Sequence, residues 1–310
     1  MLRRADERCP LLTVAVLVMV VGAVAAVFEP ARAQVPASSP SIVLSRPISV
    51  RSAGMNGIGA ALVGNAGAVF SNPAGIATIR HIGLEGAYRA GPSEGSIVSG
   101  ALAWRLRQFD VGFGIARFKP GSVTGVPSGY EDRELAGVGS LVYRFGIIAI
   151  GGSGKYVRRA VDDSPQSAFS ADAGLAIAVF DIMAIGFSKQ NIGGRWGGES
   201  AVSMPGLTRL AMMWNYVDPL EAFRLLSTIE LQWPEGEDFR IVVGGEGGVV
   251  VHDVGLLGRA AYGTKATGSF FSHMTYGGSL TFGRLAFDYA YQEADLSEEP
   301  AHRFGLRLAL

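Results

Sequence analysis

From His81 to Leu310 the chain divides into short segments in which apolar positions alternate with polar or small ones, each bounded by turn residues. Alternation at period two marks a strand whose two faces meet different surroundings. Fourteen such segments can be placed, at 82–89, 96–106, 109–118, 134–144, 147–158, 168–179, 182–190, 206–216, 222–233, 239–248, 254–262, 270–280, 283–292 and 302–310. In the last of them Phe304, Leu306, Leu308 and Leu310 face one way and Arg303 and Arg307 the other. In 283–292, Leu285, Phe287, Tyr289 and Tyr291 oppose Asp288 and Gln292. In 222–233, Phe223, Leu225, Ile229, Leu231 and Trp233 oppose Arg224, Thr228, Glu230 and Gln232.

A soluble sandwich also alternates, with its apolar face inside. Here the polar faces carry charges of both signs: Glu85, Arg105, Asp110, Arg144, Asp172, Arg209, Glu230, Arg240, Glu246, Arg259 and Asp288. Such a mixture suits a wet lumen whose charges neutralise one another. Strands of about ten residues also suit a tilted membrane crossing. The links sort themselves in the same sense. Those after even segments are short: Arg107-Gln108, Phe145-Gly146, Phe180-Asp181, Val217–Glu221, Val249–Asp253 and Thr281-Phe282. Several after odd segments are long: Lys119–Arg133, Arg159–Ser167, Asn191–Pro205 and Glu293–Ala301. Short turns at one end and long loops at the other are how outer-membrane barrels are organised. The expectation is an all-β, transmembrane antiparallel barrel of about 14 strands over 81–310.

Residues 1–33 have the form of an export signal. Arg3 and Arg4 open a charged region, Leu11–Phe28 is apolar, and Ala31-Arg32-Ala33 is a small-x-small cleavage site. The apolar run is also long enough for an uncleaved anchor, but the cleavage pattern favours Gln34 as the mature N-terminus. Residues 34–51 are rich in Pro and Ser and form a lead-in. Ser52–Arg80 follows, nearly all Gly, Ala and Ser with a few aliphatics, around the turn signal Ser71-Asn72-Pro73-Ala74-Gly75. Small side chains let backbones pass closely. Asn72 can cap a short helix that begins at Pro73. This segment reads as two short helical pieces folded into the mouth of the barrel, or else as a Gly-rich surface loop. In the first reading 34–80 is a lead-in and plug, with Asn72, Pro73, Ala74, Gly75, Phe70, Leu62 and Ile76 as gate residues. Ile58, Val63 and Val69 complete an apolar set facing the wall.

Several chemistries find no support. Lys and Arg number 27, as do Asp and Glu, so charge gives no reason to expect a nucleic-acid partner. Cys9 lies in the leader, so a mature disulfide or cysteine-bound metal is not expected. His81, His252, His273 and His302 lack metal-ligand spacing. Gly152-Ser153-Gly154-Lys155 evokes a phosphate loop, but Ala149 stands where the first glycine belongs and Tyr156 where Ser or Thr would bind magnesium. Gly57-Ile58-Gly59 lacks a preceding strand and a third glycine. No nucleophile elbow occurs, and the carboxylates are too dispersed to nominate an acid and a base. Neither an enzyme nor a cofactor is expected.

The small-residue segment with Asn72-Pro73-Ala74-Gly75 ahead of a barrel resembles the FadL-like outer-membrane transport superfamily. Three further places are similar to its PorV/PorQ-type branch: Phe187–Gly193 (FSKQNIG), the Pro-initiated Met204–Leu210, and Phe287–Tyr291 (FDYAY) with His302-Arg303-Phe304 before the last strand. The resemblance implies a fourteen-stranded barrel in a diderm outer membrane, partly closed by its N-terminal segment. FadL-like members move hydrophobic molecules; PorV-like members act with secreted proteins of the type IX system. The partners implied are outer-membrane lipid, the barrel assembly machinery, and either a hydrophobic small molecule or a secreted protein. A purely structural barrel is a third possibility. For a secreted partner, Val123–Tyr130 and Ile192–Met204 with Trp196 are the loops long enough to offer apolar contacts. Two features depart from the family: loops short for a FadL-type transporter, and Leu310 where a terminal aromatic is usual.

Overall fold

The structure is a computed structural model, and it describes residues 41–90, 95–121, 133–161, 164–179, 182–196, 202–217, 222–264, 273–293 and 300–310. The leader over 1–33 and the loop 123–130 lie outside these residues. The strands are β1 (Ile82–Ala90), β2 (Ser96–Leu106), β3 (Phe109–Lys119), β4 (Arg133–Phe145), β5 (Ile148–Val161), β6 (Ser164–Val179) and β7 (Met183–Ile192). Then follow β8 (Leu207–Val217), β9 (Phe223–Pro234), β10 (Arg240–Val251), β11 (Val254–Gly263), β12 (Met274–Phe282), β13 (Leu285–Gln292) and β14 (Ala301–Ala309). Each pairs antiparallel with its neighbours, and β14 returns to β1 to close the barrel. Closure runs from Gly83 opposite Ala309 to Ala90 opposite His302. A closed barrel leaves no free edge, which is what lets strands cross lipid without unpaired amides.

The alternation in sequence becomes inside and outside. On β14 Phe304 and Leu306 are exposed and Arg303 is buried; on β13 Phe287 is exposed and Asp288 buried. The outward residues form two aromatic belts. Trp104, Phe109, Tyr143, Phe145, Tyr216, Phe223 and Phe282 lie toward the short-turn end. Tyr88, Tyr156, Phe169, Tyr262, Tyr276, Tyr289 and Phe304 lie toward the long-loop end. Between them are mostly Leu, Ile, Val and Gly, with Phe113 and Phe287. An apolar band between two aromatic girdles is the exterior of a transmembrane barrel.

The turns differ from the sequence expectation by one to two residues. The link placed at Thr281-Phe282 is Gly283-Arg284, where Gly283 takes φ 54°. The link placed at Val249–Asp253 narrows to His252-Asp253, both at positive φ (49° and 67°). A two-residue hairpin loop of the type I′ kind needs positive φ at both central positions, here supplied without glycine or asparagine. Arg159–Ser167, expected as a long loop, is mostly strand: β5 and β6 continue to the pair Val161 and Ser164. Just below this extension Tyr156 and Phe169 are paired across the two strands, their rings tilted by 47° with centroids 4.9 Å apart.

Candidate functional site: the lumen and the segment that fills it

Residues 41–80 circle the lumen. The segment begins beside β4 with a helical turn, Ile42–Ser45, and a second turn, Val50–Ala53, lies against β13 and β14. It then passes β9 and β8 at Gly59-Ala60. Two 3₁₀ turns follow, Ala66–Phe70 against β1–β4 and Pro73–Thr78 against β4–β6.

Such an irregular path leaves many backbone N–H and C=O groups without ladder partners, and at membrane depth each must be satisfied from within the protein. Wall side chains do this. Glu230 accepts the N–H groups of Gly59 and Ala60, each at 2.8 Å. Glu134 accepts those of Ile42 (3.0 Å) and Val43 (3.2 Å), and the Ser41 hydroxyl. Glu85 accepts from Gly67 at 3.1 Å. In the opposite sense Arg209 donates to the Gly57 carbonyl (2.6 Å), Arg105 to Ala77 (2.7 Å), Gln190 to Phe70 (2.7 Å) and Arg303 to Pro47. Arg240 donates to Asn56 Oδ1 at 2.6 Å.

The charged wall therefore does not line a wet lumen as its mixed signs implied. Every Asp and Glu in the strands (Glu85, Asp110, Glu134, Asp172, Glu230, Glu246 and Asp288) is buried. These carboxylates are shared among plug amides and wall cations. Glu230 meets Arg209 at 3.3 Å and Asp110 meets Arg144 at 2.7 Å. A chain of pairs runs from Arg51 through Glu246, Arg259 and Asp288 to Arg307. Lys155, the residue of the phosphate-loop lookalike, sits in mid-strand and binds Asp172 at 2.7 Å and Asn191 Oδ1 at 2.9 Å.

Wall glycines make the close fit possible. A methyl at Gly112 would lie 2.6 Å from Val69 Cγ1, and one at Gly114 2.6 Å from Phe70 Cζ. At Gly151 it would approach the Ala74 nitrogen to 3.0 Å. At Gly174 it would overlap Asn72, and at Gly186 the Ala60 carbonyl.

The gate residues nominated from sequence are all placed. Asn72 is completely buried; its Nδ2 donates to Ala60 O (2.6 Å) and Leu175 O (3.1 Å), and its Oδ1 accepts the Ala74 N–H (3.0 Å). This caps the turn that Pro73 opens. Pro73, Ala74 and Gly75 lie buried under β4–β6. Phe70 packs between two apolar clusters, Ile76 joins Val69, Ala103 and Val142, and Leu62 joins Met55, Ile58, Val242 and Ala261. They do not converge on one open pocket. Ile58, Val69 and Ile76 show no exposure at all, so they dock the segment rather than line a void. Val63 borders a small cavity of about 190 Å³. A larger cavity of about 840 Å³ opens at the short-turn end, bordered by Arg51, Gly64, Asn65 and Thr78 of the segment and by Glu246 and Arg307 of the wall.

Sequence reasoning missed the role of Glu85, Glu134 and Glu230 as backbone acceptors. Their flanking residues carry no common signal: only Glu85 has a glycine two residues away, Gly83, while Glu134 and Glu230 have none. Trp196, nominated as an exposed loop contact, is buried at 1% exposure. It packs with Val43, Phe118, Val157 and Met204, with the Arg159 guanidinium 4.7 Å above its ring. The loop turns inward because Trp196 and Met204 bond back to Val202 and Gly194. Two of the family-like stretches meet here, with Asn191 Nδ2 donating to Pro205 O at 2.7 Å.

No family model matches the chain, and no curated protein matches it. Solved structures do. The toluene transporter TodX of Pseudomonas putida superposes with TM-score 0.53 at 10% identity, covering 88% of this chain and 98% of that one. The CymD monoaromatic hydrocarbon channel gives 0.56 at 10% identity, covering 88% and 99%. A FadL homologue of Pseudomonas aeruginosa gives 0.53 at 12%, covering 84% and 97%. At such identities the likeness is one of fold.

Proposed function

We propose that the chain is exported by its leader, cleaved near Ala33, and assembled in an outer membrane as a FadL-like channel for small hydrophobic molecules, with residues 41–80 as its gate. The observation that carries this reading is a hydrogen-bonded inner segment that closes a lipid-facing barrel yet leaves a cavity of about 840 Å³ beneath it. A barrel with a purely structural role has no need of a separate segment clamped across its lumen. The likeness to TodX and CymD, a toluene transporter and a monoaromatic hydrocarbon channel, supports the substrate class.

The polar wall agrees with a gated route rather than an open apolar pore, because apolar solutes gain nothing from charged walls. The PorV/PorQ-type alternative, handling of secreted proteins, loses one of its two loop handles with the burial of Trp196.

Uptake tests the proposal. Diderm cells expressing the full chain should accumulate labelled toluene faster than matched cells that lack it. Equal rates in cells with and without the protein, at matched outer-membrane levels, would remove the transport reading. Failed display of a surface protein alongside unchanged uptake would favour the secretion class.

A further inference from the structure

The outward charges of the barrel are not distributed as the inward ones are. Among the described side chains, the charged residues that face outward from the strands are Arg117, Lys119, Arg158 and Lys189. All are basic, and all stand toward the long-loop ends of β3, β5 and β7. No strand carboxylate answers them, since every one is buried in the lumen. Arg117 and Arg158 are level with each other: Arg117 pairs with Leu135, and Leu135 with Arg158. Two strand spacings separate them, about 10 Å. The same rung runs on through Val98 to the belt residue Tyr88.

Below this pair the outer wall is hollow. One groove of about 820 Å³ is bordered by Arg117, Arg158, Val98, Leu135, Gly100, Ile115 and Glu134, whose carboxylate is turned inward to Ser41, Ile42 and Val43. It continues at Gly100 and Ile115 into a second of about 690 Å³ with Gly86, Leu102, Gly137 and Leu306. Gly86 and Gly100 are directly paired, and a methyl at Gly86 or Gly137 would touch nothing. The groove thus runs from a basic rim at the girdle into the apolar band.

We propose that the outer face of β1–β5 holds one phosphate-bearing lipid of the outer leaflet, its phosphate between Arg117 and Arg158 and an acyl chain in the glycine-floored groove. Charge selects this occupant. Two outward guanidiniums, with every strand carboxylate turned into the lumen, match phosphate oxygens, each with a fork of donors, and Lys119 adds charge one step further out. An apolar groove continuous with the rim suits an acyl chain and gives nothing to a soluble anion. The inference rests on the membrane placement and is independent of any transported solute.

The test uses the full mature protein in nanodiscs of phosphatidylcholine doped with lipid A, a phosphorylated lipid, with retained lipid counted by native mass spectrometry. The wild type should retain lipid A in preference to phosphatidylcholine. Retention should fall when lipid A is replaced by its dephosphorylated form, and millimolar inorganic phosphate should not displace it. Each arginine should contribute roughly fivefold, so Arg117→Gln with Arg158→Gln should weaken retention about 25-fold. Gly100→Leu fills the groove from a position where a Cβ meets only Ile115 at 3.8 Å, and should weaken retention with the arginines intact. Heat-modifiable gel migration checks assembly of each variant. Equal retention of lipid A and its dephosphorylated form by the wild type overturns the proposal without any variant. Displacement by inorganic phosphate, or full retention in the assembled double variant, also overturns it. Unchanged toluene uptake in these variants separates this site from the channel.

Discussion

Asn72 of the inner segment donates from Nδ2 to the carbonyl of Leu175 in β6, 3.1 Å away, and so ties the plug into the wall where β6 has no side chain at Gly174. The same amide serves Ala60 and Ala74. Replacing Asn72 with Leu removes all three bonds and leaves buried backbone groups unpaired. Each orphaned group costs about 1–3 kcal/mol. The temperature at which the barrel loses its unboiled gel mobility should fall by several degrees. An unchanged transition would mean that Asn72 does not hold the segment.

Gly174→Val tests the same seat by steric means. The added side chain would overlap Asn72 and Pro73, both fixed by the turn they begin. The barrel wall itself loses no ladder bond, because the substitution leaves the backbone alone. The expected outcome is an assembled barrel whose 41–80 segment is cut by added protease, where the wild type resists. Protection equal to wild type would contradict the close packing at this position.

Glu230 and Arg209 offer a cycle. Glu230 bonds Gly59 and Ala60 while meeting Arg209 at 3.3 Å, and neither wall residue is solvent-exposed. Removing one partner strands the other charge, at a cost of about 3–5 kcal/mol. Glu230→Gln and Arg209→Gln should each lower thermal stability more than their combination does. Additive losses would mean that the two side chains act separately.

Much of this was legible in the sequence because period two is a strong signal when one face meets lipid. Fourteen segments correspond to fourteen strands, and the faces assigned to Arg303, Phe304, Asp288 and Phe287 are those observed. What escaped depends on three-dimensional register. Nothing local distinguishes a carboxylate that bonds water from Glu230, which bonds amides at Gly59 and Ala60 some 170 residues away. His252-Asp253 was displaced within its link because neither residue advertises positive φ as glycine does. Trp196 looked like an exposed loop contact because polarity along the loop carries no record of Val43 and Phe118, which cover it.

Deleting residues 41–75 is the most direct test of closure. The strands keep their ladder bonds, since closure between β1 and β14 starts at Gly83. The deletion exposes Glu134, Glu230, Glu85 and Arg209 to water entering the lumen, where ions of both signs can solvate them. Loss of the clamped amides therefore costs these charges little, and the barrel should still assemble and shift on unboiled gels. With the segment gone, single-channel conductance in planar bilayers should rise well above that of the full chain. Unaltered conductance from an assembled deletion barrel would show that something other than residues 41–75 obstructs the lumen.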